Sequence, residues 1–248
     1  MSVPARSLAL VLALALASLL VGRVALASPV EAIAGWEGES FREAYAFGSV
    51  GVVAGSGGVL SAPIRATGSY LTYRYDDVAG ETRVRAPGVA LTAGPRASGR
   101  HGSVTLVGGA ELRWERRARA VAGTWGPVVA RAGGVVEGTA DLRLGRRFIP
   151  FLLATYSGSA RYLFGRAALR FQCSNLDWSG PTTWNAGIEV TAQGNSDTNA
   201  LQLGGQVECA LPRARLTLSV HGGLKSTDAG GAARRRSGYV GAGLYRRF

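Results

Sequence analysis

The sequence predicts an all-β chain: an antiparallel up-and-down transmembrane β-barrel of twelve strands, with ten as the alternative, after a cleaved signal peptide. Three observations predict it. Apolar and polar residues alternate with a period of two in successive runs of about ten residues, the signature of tilted strands with one face in lipid. Beyond an apolar leader, no stretch approaches the roughly 20 apolar residues that a membrane-crossing helix needs. Glycine is abundant, at 36 of 248 residues, which weighs against a helical core because Gly costs about 1 kcal/mol relative to Ala in a helix.

The leader has the three parts of a secretory signal. Arg6 is a short positive flank, Leu8 to Val21 an apolar run, and Ala25-Leu26-Ala27 a small-residue cleavage site. Cleavage after Ala27 leaves residues 28–248 as one barrel domain.

The first strand spans Ala32 to Gly38 and is short. Ala44 to Ala54 follows, then a turn at Gly55-Ser56-Gly57-Gly58. Leu60 to Tyr75 is longer than a usual soluble strand, with Ile64, Ala66, Gly68 and Tyr70 opposed to Arg65, Thr67 and Ser69 and closed by Asp76 to Gly80. Thr82 to Gly94 and Ser103 to Arg117 pair around a turn from Pro95 to Gly102. Val128 to Leu142, Phe148 to Ser157 and Arg161 to Gln172 continue the pattern. The runs around Ile188, Leu203 and Leu218 alternate most regularly. Ser237 to Phe248 is the closing strand, with Val240, Ala242 and Leu244 on one face and Tyr239, Gly241, Gly243 and Tyr245 on the other. A strand that ends on an aromatic resembles the closing strand of bacterial outer-membrane barrels, where that residue is an insertion signal. The resemblance implies Gram-negative outer-membrane localisation and the barrel assembly machinery as a partner, with Tyr239, Leu244 and Phe248 as the assembly signal.

A soluble β-sandwich is the rival, since it also alternates. Its apolar face would pack on a second sheet and favour large Leu, Ile and Phe, whereas the apolar face here mixes Ala, Gly and Leu.

The segments GWEGESFREAYAFGSVGVV and IRATGSYLTYRYDD, with AGPR at 93–96, VGGAELRWERR at 107–117 and GIEVTAQGN at 187–195, resemble the BcsS family of small outer-membrane proteins associated with bacterial cellulose biosynthesis. Where the family tends to carry Gly-Pro-Glu, this chain has Gly109-Ala110-Glu111 and Gly187-Ile188-Glu189. The resemblance implies a non-catalytic accessory in cellulose or exopolysaccharide production or export, with cellulose synthase components or the polysaccharide as partners. A narrow porin and a lipid-modifying barrel enzyme are the alternatives from other classes.

The formal charge of +12 comes almost entirely from arginine, Lys225 being the sole lysine. Arg-rich coding accounts for this without a ligand; the functional reading is contact with outer-membrane lipid and the phosphates of lipopolysaccharide, or with an acidic polymer. No long basic run carries interleaved aromatics, so nucleic acid is not a partner. The alternation sends Glu111, Arg113, Arg131, Glu137, Asp141, Arg166, Arg170, Glu189, Glu208 and Arg215 into the lumen. Mutual pairing of these charges would block it.

No cofactor or metal is expected. Asp76 and Asp77 lack the further carboxylates of a calcium loop. For an enzyme, the two histidines offer little: His101 falls in a turn, and Ser219 is about 7 Å from His221 along one strand face, beyond hydrogen-bond reach. Cys173 and Cys209 form a candidate disulfide in an oxidising compartment. They lie two strands apart, about 9.6 Å, so the bond requires Cys173 to leave its strand and the connection Ser174 to Thr183 to fold back across the rim.

Overall fold

The computed structural model describes residues 29–40, 43–55, 59–77, 80–119, 123–145, 147–173, 182–195, 198–229 and 235–248. The leader, its cleavage after Ala27 and most of the connection after Cys173 lie outside them. Thirteen strands follow in order: β1 (Val30–Glu39), β2 (Glu43–Ala54), β3 (Leu60–Asp77), β4 (Gly80–Ala93), β5 (Arg96–Gly99), β6 (Gly102–Arg119), β7 (Val129–Leu142), β8 (Phe148–Ser157), β9 (Tyr162–Cys173), β10 (Thr183–Gly194), β11 (Thr198–Leu211), β12 (Leu216–Ala229) and β13 (Arg235–Arg247).

β4 and β5 are one barrel strand. Ala93 pairs with Ile64 and Gly108, and past Gly94-Pro95 the register resumes unshifted, Arg96 pairing with Ser61 and Thr105. Pro95 lacks an N–H, so the ladder misses a bond there without slipping. The turn expected over Pro95 to Gly102 is therefore only Arg100-His101.

Each strand pairs antiparallel with its neighbours in sequence, and β13 pairs with β1 from Glu31↔Arg247 to Glu39↔Tyr239, closing the ring. The result is a closed twelve-stranded antiparallel β-barrel. β1 spans ten residues rather than the short piece expected, which removes the ten-strand alternative. Followed once around the ring, the registers add up to a stagger of about 14 residues and a tilt of about 40°, within the usual range for such barrels. The start of β1 and the end of β13 lie at one end of the barrel, the terminus end, where the Phe248 N–H donates to the Val30 carbonyl at 2.8 Å.

The burial pattern is inside out. Glu189 and Thr191 are 1% exposed and Gln202 is fully buried, while Ile188, Leu203 and Leu224 are 64%, 63% and 73% exposed. A water-soluble sandwich would bury the second set and expose the first. An apolar outer face with polar residues packed within is the spanning-barrel arrangement.

Candidate functional site

The inward face carries the polar chemistry, and register decides what meets what. In β1 the odd-numbered residues point inward, so Glu31, Glu37 and Glu39 enter the lumen one above another. Near the termini, Glu31 accepts from Arg96 Nη1 and Nη2 at 2.6 and 2.9 Å and from the Tyr245 hydroxyl at 3.0 Å. Arg96 also donates to Thr105, at 3.1 Å. Arg65 on β3 stands 4.0 Å from Glu31 and donates to Glu137 on β7 at 3.1 Å. Side chains from β1, β3, β5, β6, β7 and β13 thus form one cluster.

On the facing wall Arg170 bridges Asp141 and Glu208, each at 2.7 Å, while the Asn185 amide donates to Glu208 at 2.7 Å. The Arg170 guanidinium also lies over the Phe151 ring, 5.4 Å from its centroid. Further along the axis, Glu189 takes Arg166 on one oxygen and the Tyr239 hydroxyl, at 2.9 Å, on the other. Gly204 makes the second contact sterically admissible: a Cβ there would sit 2.3 Å from the Tyr239 hydroxyl. Tyr239, expected as part of an assembly signal, is a buried lumen residue.

Towards the opposite end, Glu37 accepts from Gln202 at 2.8 Å and lies 3.5 Å from His221 Nε2. Lys225, 3% exposed in its side chain, joins Glu39 at 2.7 Å and Glu43, and Ser237 donates to Glu39. Burying charge without partners costs several kcal/mol per ion, so this degree of pairing is what makes a charged interior tolerable.

Glu111 is held differently. The β8–β9 turn curls into the barrel, and the Ser157 and Ser159 hydroxyls and the Ser159 N–H converge on one Glu111 oxygen at 2.5, 2.7 and 2.9 Å. Arg113 stands 3.9 Å from the other oxygen. The turn fits because position 133 is glycine: a Cβ there would meet the Ser159 nitrogen at 2.2 Å.

Of the expected lumen charges, Glu111, Arg113, Glu137, Asp141, Arg166, Arg170, Glu189 and Glu208 point inward and are paired. Arg131 sits at the mouth away from the termini, exposed and 3.8 Å from Glu115. Arg215 is misplaced by the alternation: it lies beyond the start of β12, exposed, in a left-handed turn (φ 48°) that caps the 3-10 turn 212–214. Parity carries no meaning past the end of a strand. The sequence reading missed Glu31, Glu37, Glu39, Glu43, Arg96 and Lys225. Their partners sit three or more strands away in sequence, where no local spacing points.

Cys173 and Cys209 are both free. Cys173 stays in β9 opposite Trp184, and Cys209 flanks Trp184 from the other side. One whole strand separates them, so the candidate disulfide is absent for the geometric reason that made it conditional.

The match to known sequences runs over residues 34–248, in the family described as cellulose biosynthesis protein BcsS. The chain belongs to that family. No curated protein matches it. Among solved structures it is similar to the β domain of the Bordetella autotransporter Brka, at 16% identity and a TM-score of 0.50 over 88% of this chain and 98% of that one. It is also similar to the translocator domain of the autotransporter NalP from Neisseria meningitidis, at 14% identity and 0.51 over 94% of each chain. At such identities the likeness is one of fold, that of outer-membrane β-barrels. With it, BcsS family membership ties this barrel to cellulose biosynthesis.

Proposed function

We propose that this BcsS-family protein is an integral outer-membrane barrel that serves bacterial cellulose or exopolysaccharide production as a non-catalytic accessory, a fixed element of the membrane rather than a conduit. The observation that carries this reading is the ion-paired lumen: Glu31, Arg65, Glu137, Arg166, Arg170, Glu189 and Lys225 join strands up to three apart around the inner wall. The charged groups a permeating solute would meet are largely paired with one another. The histidine in the lumen, His221, stands 3.5 Å from Glu37, and Ser219 lies on the same strand face as His221.

The test is deletion of the gene followed by cellulose staining and by fractionation of the membranes. Lost or reduced cellulose with an otherwise intact outer membrane is expected, and unchanged cellulose sinks the accessory role. Conductance of the pure protein in planar bilayers separates the porin reading, because open steps of porin size would make the barrel a channel. The terminal residue has its own expected outcome. Deleting Phe248 should deplete the protein from the outer membrane while leaving its export across the inner membrane intact, since assembly reads the last strand.

A further inference from the structure

Among the described residues, the outward face gathers four arginines on neighbouring strands where β3, β4 and β6 rise at the end away from the termini. There Arg83 pairs in register with Arg74, and Arg85 with Arg116, two like-charged pairs directly opposite one another across adjacent strands. Such pairs are destabilising by themselves. Only one carboxylate among the described side chains joins this group: Glu81, 3.0 Å from Arg83 and 3.6 Å from Arg74. Arg85 stacks on the Trp125 ring at 4.3 Å and Arg116 donates to the Gly126 carbonyl at 3.3 Å, so neither has an acidic partner among the described residues. This contrasts with the lumen, where nearly every arginine meets a carboxylate.

What lies beneath identifies the missing anion. One step towards the termini the outward side chains are Tyr70, paired with Pro87, and Trp114, two residues from Arg116. Below them come the rows Gly68–Val89–Leu112 and Ala66–Leu91–Ala110, with Val89 and Leu91 51% and 61% exposed. Cations above an aromatic girdle above an apolar band match the depth profile of a membrane lipid: phosphate, interface, acyl chain. Planar guanidinium groups grip phosphate by paired charge-assisted hydrogen bonds.

We propose that this face docks a diphosphorylated saccharolipid of the lipid A type, with Arg74, Arg83, Arg85 and Arg116 on its phosphates and Tyr70, Pro87 and Trp114 along the sugar and upper acyl chains. The proposal rests on the outer-membrane reading, because a chain with both termini in the periplasm turns this end to the outer leaflet, where such lipids reside.

The experiment uses the full protein folded in detergent micelles and measures retention of diphosphoryl lipid A by native mass spectrometry. The variant R83Q/R85Q/R116Q should lose at least about tenfold in retention, while R213Q/R215Q, at the terminus end, should keep it. Glu81→Gln, which removes the carboxylate paired with Arg74 and Arg83, should raise it. A heat-dependent shift in gel mobility confirms that each variant is folded. Equal retention by the triple variant overturns the site. So does displacement by millimolar inorganic phosphate as effective as by lipid A, or equal retention of phosphatidylglycerol. Membrane fractionation of cells tests the location separately: a protein absent from the outer membrane overturns that reading, while micelle retention reports on the arginine face alone.

Discussion

The two faces of this one sheet obey opposite rules. Leu203 and Leu224 on the outer face stand alone, each contributing by its own contact with an apolar surrounding, so their energies are local and separable. Glu189, Arg170 and Lys225 on the inner face do nothing favourable singly; each is tolerated only because partners from other strands surround it. Stability on the outer face is additive, and on the inner face it is held jointly, as expected for charges in a medium of low dielectric.

The sharpest way to break that contrast is Glu189→Ala. It strands Arg166 and the Tyr239 hydroxyl in the interior, and removing one partner of a buried pair costs about 3–5 kcal/mol. Urea unfolding in micelles measures it, and a loss below about 1 kcal/mol would mean that water reaches this level of the lumen. Val220→Arg attacks the outer face, since Val220 is 56% exposed there. The expected loss is about 2–4 kcal/mol in bilayers near the midplane and much less in micelles, where the arginine reaches water; an equal loss in both would point to a packing effect instead. Arg96→Lys keeps the charge but replaces the two-pronged contact with Glu31 by a single point. A loss of about 1–2 kcal/mol is expected, and a double-mutant cycle with Glu31→Gln should show coupling where one between Arg96 and Leu224 shows none. The smallest effect concerns the thiols: a membrane-permeant maleimide should label both Cys173 and Cys209 without prior reduction and leave the unfolding midpoint unchanged.

The fold was legible because period two survives in nearly every strand, and lipid contact requires apolar residues at every second position. Legibility failed where local chemistry imitated something else. Pro95 looked like a turn, yet the strand continues through it because a single absent donor does not shift the register. The weak alternation of AIAGWEG cut β1 short at both ends and left its glutamates unassigned, though they anchor the network. Facing direction could be read from the sequence, and so most of the inward charges could be named. Pairing could not, because Glu31 finds Arg96 and Lys225 finds Glu43 only after strands far apart in the chain have been set on a ring of fixed stagger.

That ring joins at the seam between β1 and β13. Nine residue pairs from Glu31↔Arg247 to Glu39↔Tyr239 connect the earliest and latest segments of the domain, and Tyr245 reaches across it to Glu31. No sheet edge is left to recruit another chain. The same seam is the longest-range contact the chain makes, so its loop-closure cost falls at the end of assembly, when the last strand has to find the first. Up to that moment the barrel is an open ribbon with two sticky margins. Afterwards it can be undone only by parting the seam or tearing another strand pair, so the finished protein should be long-lived through the slowness of opening more than through a large equilibrium stability.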